Sequence, residues 1–467
     1  MKKNHPEIKN LIEFLKSILN KKRVMPSDLI FHSDEGQIGK VLILTNFSNY
    51  NINNYIKSSY KKNIRGLVID REISKKHIPN DLPVYVCKYL SNNMNLFLSE
   101  IYDYPLKGKK IIGVTGTDGK TSIIHLLAQT YKLLGKRVGI ISTDGNGIYP
   151  KLKKTIYTTP RSDILYRNFN IFHKKSVDII ILEASSQGLH QGRLLHINFD
   201  ISIVTNITKD HLDYHKTYLS YIKSKCILLN MTRKIIFLNK DCKNVQRILN
   251  ITSTPAKFYY YDSSYKIHGH KTKLLDTRSN RYNLSLIYNI LKYSNISDKV
   301  IISIFERLRP IPGRNNIIHR SDSAKFIIDY AHTRDAFECL LKYIHETYYK
   351  KINNIIVVFG CGGDRDQIKR EEMGKIANKY SDIVILTNDN PRGENPEKII
   401  TDISKGITNK CKIVKMLNRK NAIKHSVKIS KKNDIVVIAG KGNEDSIIYK
   451  KKKIKHNDID YLKSLIS

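Results

Sequence analysis

Residues 111–122 read Ile111-Ile112-Gly113-Val114-Thr115-Gly116-Thr117-Asp118-Gly119-Lys120-Thr121-Ser122. An apolar run leads here into a glycine-rich turn, and the residues that follow carry apolar side chains at helical spacing up to Leu134. This pattern predicts a strand, a phosphate-binding loop and a helix. Glycine lets backbone N–H groups close around a phosphate, and the N-terminus of the helix adds partial positive charge.

The end of this loop carries the chemistry. Lys120 is placed to reach the outer phosphates of a nucleotide, and the hydroxyl of Thr121 can bind Mg²⁺. The spacing departs from a strict Walker A motif, because five residues rather than four separate Gly113 from Gly119. A tight structural turn is the alternative, but glycine, lysine and threonine between a strand and a helix favour a nucleotide phosphate site.

Composition sets the limits of the interpretation. A chain of 467 residues has room for about two to four domains. The formal net charge of +39 suggests a nucleic-acid partner. However, the basic residues are mostly lysines spread along the chain among many Asn, Ile and Tyr, as an AT-rich genome encodes. No RNA-binding or zinc-finger signature is present, so a basic P-loop protein that binds nucleic acid is kept only as an alternative.

Cysteine spacing and the N-terminal pattern indicate the compartment. The six cysteines lie far apart and form no C-x-x-C pair, which predicts free thiols in a reducing environment. Apolar residues from Ile8 to Leu19 recur at helical spacing and are interrupted by Glu13 and Lys16, which favours an amphipathic helix over a signal peptide. No apolar run is long enough to span a bilayer. We therefore expect a cytoplasmic protein.

From Lys110 to about Arg307, buried strands alternate with helices, as in a parallel α/β sheet. An apolar run at 178–182 ends at Glu183, which should face the same crevice as the phosphate loop and is a plausible Mg²⁺ ligand. Acids and histidines follow the next strand, and their density suggests a metal or catalytic cluster. These residues are Asp210, His211, Asp213 and His215.

Residues 115–121, 183–193 and 205–215 resemble the Mur ligases, the ATP-dependent amide ligases of peptidoglycan precursor synthesis. The resemblance runs from about residue 106 to the C-terminus and more faintly before it. It implies a three-domain α/β architecture with a central P-loop-type parallel sheet and a C-terminal Rossmann-like domain. The implied domains are a divergent UDP-substrate-binding domain at 1–105, an ATPase domain at 106–308 that is shortened near 250–300, and an amino-acid-binding domain at 309–467.

The resemblance implies a nucleotide and metal site that uses ATP and two Mg²⁺. The implied ATP contacts are Gly116, Thr117, Gly119, Lys120, Thr121, Ser122, Asn239, Arg314, Asp329 and His332. The implied metal ligands are Thr121, Glu183, His215 and Lys225, the last as a carbamate formed with CO₂. Such a carbamate converts a cation into a carboxylate-like ligand, and an unmodified surface lysine is the alternative. The implied catalytic residues are Lys120, Lys225 and His215, and Asp118 stands where the family has asparagine.

The resemblance also implies where the two other substrates bind. The implied contacts to the UDP-substrate are Ser33, Thr158, Thr159, Ser186, Gln191 and Arg193. Asp34 stands beside Ser33 where the family usually has an arginine. The implied contacts to the amino acid are Arg365, Asp389, Asn390, Arg392, Gly440 and Glu444.

Arg392 discriminates between possible amino acids. Meso-diaminopimelate differs from lysine by one carboxylate, and a guanidinium fork binds a carboxylate through two hydrogen bonds. An Asn-Pro turn with an exposed arginine is the alternative interpretation of this segment. The resemblance favours ligases that add diaminopimelate, whereas a lysine-adding ligase, another Mur ligase or a folylpolyglutamate-type ligase would keep the fold and change the substrate.

The implied reaction adds meso-2,6-diaminopimelate to the D-glutamate γ-carboxyl of UDP-N-acetylmuramoyl-L-alanyl-D-glutamate. It proceeds through an acyl phosphate and releases ADP and phosphate. The expected partners are these small molecules, without nucleic acid or membrane, and the expected enzyme is a monomer of the bacterial cytoplasm that serves cell wall biogenesis, cell shape and cell division.

Overall fold

A computed structural model describes residues 6–31, 38–45, 52–74, 78–264, 272, 274, 277–319, 324–348, 352–408 and 411–466. Helices and parallel strands alternate along these residues, so the predicted α/β class is confirmed. The chain forms two compact units. The first contains Met1–Gly113, Lys136–Ile201 and Ile227–Lys234, and the second contains Val114–Gly135, Ser202–Cys226 and Ile235–Ser467.

The strands, numbered in chain order, are β1 Leu29–Ile30, β2 Val41–Leu44, β3 Gly66–Ile69, β4 Val84–Val86, β5 Lys110–Thr115, β6 Val138–Ser142, β7 Gly145–Ile148, β8 Lys151–Lys153, β9 Ile179–Glu183, β10 Phe199–Val204, β11 Thr232–Asn239, β12 Lys257–Tyr261, β13 Asn316–His319, β14 Lys325–Asp329, β15 Ile355–Phe359, β16 Ile383–Leu386, β17 Lys412–Lys415, β18 Ile435–Ala439, β19 Ser446–Ile448 and β20 Lys453–Lys455.

The α-helices are α1 Pro6–Leu19, α2 Ile52–Tyr60, α3 Leu90–Ile101, α4 Lys120–Leu133, α5 Ser162–Lys174, α6 Ser186–His190, α7 Leu212–His215, α8 Tyr218–Asn230, α9 Val245–Ile251, α10 Arg278–Tyr293, α11 Asp298–Arg307, α12 Arg334–Tyr348, α13 Ile368–Tyr380, α14 Pro396–Ser404, α15 Arg419–Ile429 and α16 Asp458–Ile466. A short 3₁₀ helix occupies Pro26–Asp28.

The first unit begins with the predicted amphipathic helix, α1, whose apolar residues are buried. A four-stranded parallel sheet follows in the order β1-β2-β3-β4. Every residue of β2 and β3 is buried, as a strand covered on both faces requires. Strands β5, β10 and β11 begin in this unit and end in the second. With them, the unit's larger sheet has the order β11-β10-β5-β9-β6-β7-β8.

The second unit contains the ends of these shared strands in the order β12-β11-β10-β5, and β5 leads through the glycine-rich loop into α4. It also contains a six-stranded sheet in the order β13-β14-β18-β15-β16-β17. Strands β14, β18, β15 and β16 are parallel neighbours, so their carboxyl ends meet at one edge. Asp329 ends β14 at that edge, and the loops that carry Asp389 and Gly440 leave from it.

Each of the three larger sheets lies within one of the predicted domain ranges, whose boundaries stay a prediction. The six cysteines, all of which are described, form no disulfide bonds, as predicted. In the part of the chain that the structure describes, no helix combines the length and the apolar character needed to cross a bilayer.

A buried ion pair ties the last two helices to the sheet edge. Arg419 donates to both carboxylate oxygens of Asp458, from Nε at 2.9 Å and from Nη2 at 2.7 Å. Its two terminal nitrogens also donate to the carbonyl oxygens of Asn388, two residues after β16, and of Ala439, the last residue of β18. Burial acts to raise the pKa of Asp458, but Arg419 and His456 outweigh it and lower that pKa.

We predict that Asp458→Asn lowers the free energy of unfolding by about 3 kcal/mol, because Arg419 is left as a poorly compensated buried charge. The chain has no tryptophan, so urea unfolding followed by circular dichroism is the suitable measurement. Since folding lowers the pKa of Asp458, its contribution is present above the ordinary carboxyl range and is lost as the pH falls through the folded-state pKa. The difference between wild type and variant should therefore narrow in acid.

The matched control is Glu371→Gln, which removes an exposed carboxylate 2.7 Å from Lys375 on the same face of α13. Exposed pairs of this kind contribute little, so the control should unfold like the wild type. Equal unfolding of both variants would contradict a special role for the buried pair.

Candidate active site

The structure confirms the predicted strand, loop and helix at 111–122. Gly116 has φ +145° and Gly119 has φ +81°, and Gly119 is the N-cap of α4. Because glycine offers no side chain to cap the helix, the first N–H groups of α4 are available to a bound anion. Thr121 is buried in the first turn of α4. The Lys120 ammonium folds across its own loop and donates to the Thr117 carbonyl at 2.8 Å.

The residues after β10 hold the phosphate loop in shape. Thr205 donates through Oγ1 to the Asp118 carbonyl at 2.6 Å, and its backbone N–H donates to the Thr115 carbonyl at 3.0 Å. Asn206 accepts the N–H of Asp118 on its side-chain oxygen at 2.9 Å and the N–H of Thr117 on its carbonyl at 2.8 Å. Protein groups therefore hold the shape of the phosphate loop.

Asp118 connects the phosphate loop to the segment after β14. Thr333 Oγ1 lies 3.0 Å from each carboxylate oxygen of Asp118 and donates to them. Burial raises the pKa of Asp118, although His332 and Lys120 act to lower it. A carboxyl group with a raised pKa thus lies beside the predicted phosphate site.

Two predicted nucleotide contacts, Asp329 and Arg314, have partners within the protein. Asp329 accepts the N–H groups of Asn315 at 2.6 Å and Ala331 at 2.8 Å, and burial raises its pKa. The guanidinium of Arg314 lies 4.0 Å from the centroid of the Tyr330 ring. These contacts fix the course of the chain on either side of β14.

The remaining nucleotide-side residues are also engaged. Asn239 donates to the Thr205 carbonyl at 2.8 Å, which links the end of β11 to the segment that supports the phosphate loop. His332 Nδ1 lies 2.9 Å from the Tyr330 carbonyl. Direct contact of Arg314, Asp329, Asn239 and His332 with ATP stays a prediction.

The four acids and histidines at 210–215 do not form the predicted metal cluster. Among the described residues, no group of three or more His, Cys, Asp or Glu side chains could hold a metal ion. Asp210 accepts the N–H of His211 at 2.9 Å, and its other oxygen lies 3.5 Å from His211 Nε2. Asp213 and His215 instead pair outside the segment, Asp213 with Arg365 at 3.6 Å and His215 with the Ser224 hydroxyl at 3.3 Å.

Lys225 lies buried against the phosphate loop. Its ammonium donates to the Gly116 carbonyl at 2.6 Å and lies 4.5 Å from the centroid of the Tyr221 ring. The ring of His215 meets the same tyrosine edge-on, with centroids 5.4 Å apart. Lys225 and His215 therefore both contact Tyr221, and their joint binding of a metal ion stays a prediction.

In the first unit, the residues predicted to contact the UDP-substrate share a network with the end of β9. Thr159 donates to the Glu183 carbonyl at 2.6 Å and accepts the N–H of Ser185 at 3.0 Å. Arg193 donates to the Thr159 carbonyl and to Gln191 Oε1, each at 2.5 Å. Three of the predicted residues, Thr159, Gln191 and Arg193, are therefore joined by hydrogen bonds.

Glu183 itself accepts hydrogen bonds from Thr143, at 3.0 Å from the backbone N–H and 3.2 Å from the hydroxyl. The Thr143 hydroxyl is also 3.0 Å from that of Thr158. Ser186 is buried at the start of α6. The predictions for Ser33 and Asp34 fall outside the described residues.

In the second unit, the predicted amino-acid contacts converge where β16 and β18 end. Asn390 donates to Glu444 Oε2 at 3.0 Å, and Tyr330 donates to Glu444 Oε1 at 3.1 Å. A fully buried lysine, Lys441, donates to both Glu444 at 2.6 Å and Asn390 at 3.1 Å. Sequence reasoning assigned Lys441 no role. Its position between two glycines of the same loop is the signal that would have found it.

Arg392 is held by the backbone of two neighbouring loops. It has φ +52°, its backbone N–H donates to the Ile448 carbonyl at 3.0 Å, and its guanidinium Nη1 donates to the Gly363 carbonyl at 2.8 Å. A Cβ on Gly363 would lie 1.9 Å from the Pro391 carbonyl oxygen, so only glycine permits this approach. Burial and the nearby positive charge of Arg365 lower the pKa of Arg392.

A cleft of about 430 Å³ lies beside Arg365. Acidic side chains provide much of its polar lining. The lining residues are Leu212, Asp213, Asp364, Arg365, Asp366, Gln367, Ile368 and Glu394.

Comparison with known proteins gives matches along most of the chain. Residues 114–317 match the Mur ligase middle domain, and residues 313–442 match the Mur ligase, glutamate ligase domain.

Curated relatives carry the name UDP-N-acetylmuramoyl-L-alanyl-D-glutamate–2,6-diaminopimelate ligase. The protein of Buchnera aphidicola subsp. Schizaphis graminum is 35% identical over 440 residues, which cover 87% of this chain and 88% of the relative. That of Wigglesworthia glossinidia brevipalpis is 38% identical over 398 residues, covering 78% and 80%. A solved structure of a ligase with the same name is 26% identical and has a TM-score of 0.62, covering 97% of this chain and 98% of the other.

We predict that Gly116→Ala destabilises the protein more than Gly119→Ala. Both positions have positive φ, so alanine introduces about 1–2 kcal/mol of backbone strain at each. At Gly116 the new Cβ would also lie 1.9 Å from Thr205 Oγ1, which must then leave the Asp118 carbonyl, whereas at Gly119 the nearest atom is 3.9 Å away. Displacing the hydroxyl should add about 1–3 kcal/mol.

Urea unfolding of the two variants provides the measurement, and Gly119→Ala serves as the control for backbone strain alone. Equal loss of stability would show that the contact between the loop and Thr205 adds no constraint.

Proposed function

The chain belongs to the Mur ligase family, and on this premise we propose that it joins meso-2,6-diaminopimelate to UDP-N-acetylmuramoyl-L-alanyl-D-glutamate at the D-glutamate γ-carboxyl, at the expense of ATP. The observation that carries the choice of amino acid is the placement of Arg392, next to Arg365 and fixed by the Gly363 carbonyl. The names of relatives 35% and 38% identical to this chain support the same substrates.

Two guanidinium groups held near each other favour an anion. Arg392 feels the positive charge of Arg365, and a carboxylate bound between or beside them would relieve that repulsion. Diaminopimelate brings a second carboxylate on its distal carbon, and lysine does not. A fork of N–H donors is also the geometry that suits a carboxylate. Asp389, Asn390, Gly440 and Glu444 are the further contacts that we propose for this amino acid.

The reaction follows from the chemistry of the carboxyl group. A carboxylate is a poor acylating agent, so an oxygen of the D-glutamate γ-carboxylate first attacks the γ-phosphorus of ATP and ADP leaves. The amine of diaminopimelate then attacks the acyl carbon, phosphate leaves, and the amine loses a proton. The N–H groups of the phosphate loop and Lys120 bind the phosphates and neutralise the charge on the transferred phosphoryl group.

The chain fits Mg²⁺ in the way that nucleotide sites usually do. Mg²⁺ is commonly held by one or two protein oxygens together with substrate phosphates. The ligands that we propose for a first ion are Thr121 and Glu183. For a second ion, His215 and Lys225 fit only if Lys225 is carbamylated, because its ammonium repels a cation. Bound Mg²⁺ supplies charge neutralisation.

We further propose that Ser33, Thr158, Thr159, Ser186, Gln191 and Arg193 contact the nucleotide-linked dipeptide. The shared network of Thr159, Gln191 and Arg193 supports this assignment. We propose a monomeric enzyme of the bacterial cytoplasm that acts on small molecules and not on nucleic acid.

The direct test is phosphate release from ATP with UDP-N-acetylmuramoyl-L-alanyl-D-glutamate and either meso-diaminopimelate, L-lysine or no amino acid. Release that requires diaminopimelate and yields the tripeptide product supports the proposal. Release with lysine alone would reject the role of Arg392. No release with any amino acid, together with strongly salt-dependent binding of DNA or RNA, would favour the nucleic-acid alternative.

We predict that Arg392→Gln raises the KM for diaminopimelate by about 100-fold, or about 3 kcal/mol, because a bidentate charge-assisted contact is lost. The KM for ATP should not change, since the phosphate loop is intact. Arg334→Gln is the control, because Arg334 is an exposed arginine paired at 3.7 Å with Glu372. A variant at Arg392 that still prefers diaminopimelate over lysine as strongly as the wild type would refute the assignment.

We also predict that Asp118→Asn tightens ATP binding by about fivefold, or about 1 kcal/mol, because a negative charge near the phosphates is removed while an oxygen remains for Thr333. The raised pKa of Asp118 adds a pH dependence. As the pH falls through that pKa, wild-type Asp118 becomes neutral, so the two dissociation constants should converge.

Equilibrium titration with a non-hydrolysable ATP analogue at several pH values measures this effect. Asp335→Asn, which neutralises an exposed carboxylate two residues after Thr333, is the control and should bind like the wild type. A dissociation constant for Asp118→Asn that equals the wild-type value at neutral pH would show that Asp118 does not act on the phosphates.

A further inference from the structure

A second buried arginine lies behind the proposed amino-acid site. Arg370, on α13, is fully buried and donates from Nη2 to Glu394 Oε1 at 2.9 Å and from Nη1 to Asp402 Oδ2 at 3.1 Å. The bond from Arg370 lowers the pKa of Glu394, so this carboxylate is ionised near neutral pH. Neither Arg370 nor Glu394 was assigned a role in the reaction above.

The two carboxylate partners of Arg370 lead to different parts of the fold. Glu394 Oε1 also accepts the N–H of Asp364 at 2.5 Å, and Asp364 Oδ2 accepts the N–H of Gly393 at 2.9 Å. The Gly363 N–H donates to the Asn390 carbonyl at 2.9 Å. Residues 390–394 are thus fastened to the turn at 360–366, and Arg370 supports the fastening from inside the protein.

Arg392 lies within this fastened segment, and its own hydrogen bond to the Gly363 carbonyl crosses the same junction. Any separation of the two loops would move its guanidinium and change its distance from Arg365. By contrast, Asp402 lies on α14 and pairs with Lys405 at 2.9 Å as well as with Arg370.

We propose that Arg370 and Glu394 are positioning residues that hold Arg392 in place for the distal carboxylate of diaminopimelate and thereby set the preference for this amino acid over lysine. The inference rests on the proposed function. Neither side chain needs to touch the substrate, because the effect passes through the loop that carries Arg392. A buried ion pair that only stabilises the fold is the competing explanation.

The two partners of Arg370 allow a matched comparison. Glu394→Gln and Asp402→Asn each remove one carboxylate charge from the same guanidinium with little change of shape, but only Glu394 reaches the loop of Arg392. In Glu394→Gln, the amide can offer one oxygen to the two donors that Glu394 now binds, while its NH₂ group must lie in a buried position. Glu394 Oε2, the atom that this NH₂ group would replace, is buried and has no hydrogen-bond partner among the described residues. No acceptor is therefore found there for the new N–H groups.

Two readouts separate positioning from stability. We expect Glu394→Gln to raise the KM for diaminopimelate by about tenfold, the factor that corresponds to one lost charge-assisted hydrogen bond, and to reduce the preference over lysine, with the KM for ATP unchanged. Hydrogen exchange of peptides covering 360–366 and 390–394 should also become faster. Asp402→Asn should change neither, even if thermal unfolding shows that both variants lose similar stability.

The inference is overturned if both variants raise the KM equally, or if Glu394→Gln leaves the KM and the exchange rates of the two loops unchanged. Should Glu394→Gln fail to fold, Arg370→Lys is measured in the same way, since it keeps the charge but loses the two-pronged contact. If the wild type shows no diaminopimelate-dependent turnover, the proposed function fails, and hydrogen exchange still reports whether Glu394 fastens the loop of Arg392.

Discussion

The ion pair between Arg419 and Asp458 is the interaction on which the amino-acid side of the protein depends. Two strand segments, β16 and β18, end near each other at the sheet edge, and loops with several charged groups leave from there. Arg419 binds the carbonyl oxygen of Asn388, one residue before Asp389, and that of Ala439, one residue before Gly440. The bidentate contact with Asp458 fixes the plane of the guanidinium and compensates its charge. The positions from which both loops begin are therefore set by one side chain.

The same principle recurs in the two loops themselves. Lys441 binds Asn390 and Glu444, and Arg370 binds Glu394. Together with Arg419, three buried cations fix loops that contain little apolar surface. Taking a cation out of water is costly, and pairing it with a carboxylate roughly offsets that cost without adding much stability. What the arrangement provides is direction, because hydrogen bonds from a buried cation hold an oxygen at a defined place, whereas apolar contacts do not.

These buried cations also mark the limit of sequence reasoning. Strands at 179–183, 355–359, 383–386 and 435–439 were predictable because continuous apolar runs have few other uses, and the glycine-rich loop after β5 was predictable from its residue types. Arg370, Arg419 and Lys441 were not, since 81 basic residues in the chain make any one of them resemble a solvated surface charge. The metal cluster expected at 210–215 is not formed among the described residues. Asp213 pairs with Arg365 and His215 contacts Ser224, so side chains close in sequence need not converge on one point.

The electrostatics at Arg392 suggest how an anionic ligand gains affinity without large movements. Burial and Arg365 both disfavour the charge on Arg392, while Asp389, Glu444 and Asp364 favour it. The backbone bonds to Gly363 and Ile448 prevent Arg392 from turning away from this repulsion. A carboxylate that enters the site therefore relieves a repulsion between two guanidinium groups that the folded protein already holds near each other. A substrate that ends in an ammonium alone would not relieve this repulsion, and it would add a third positive charge to the same place.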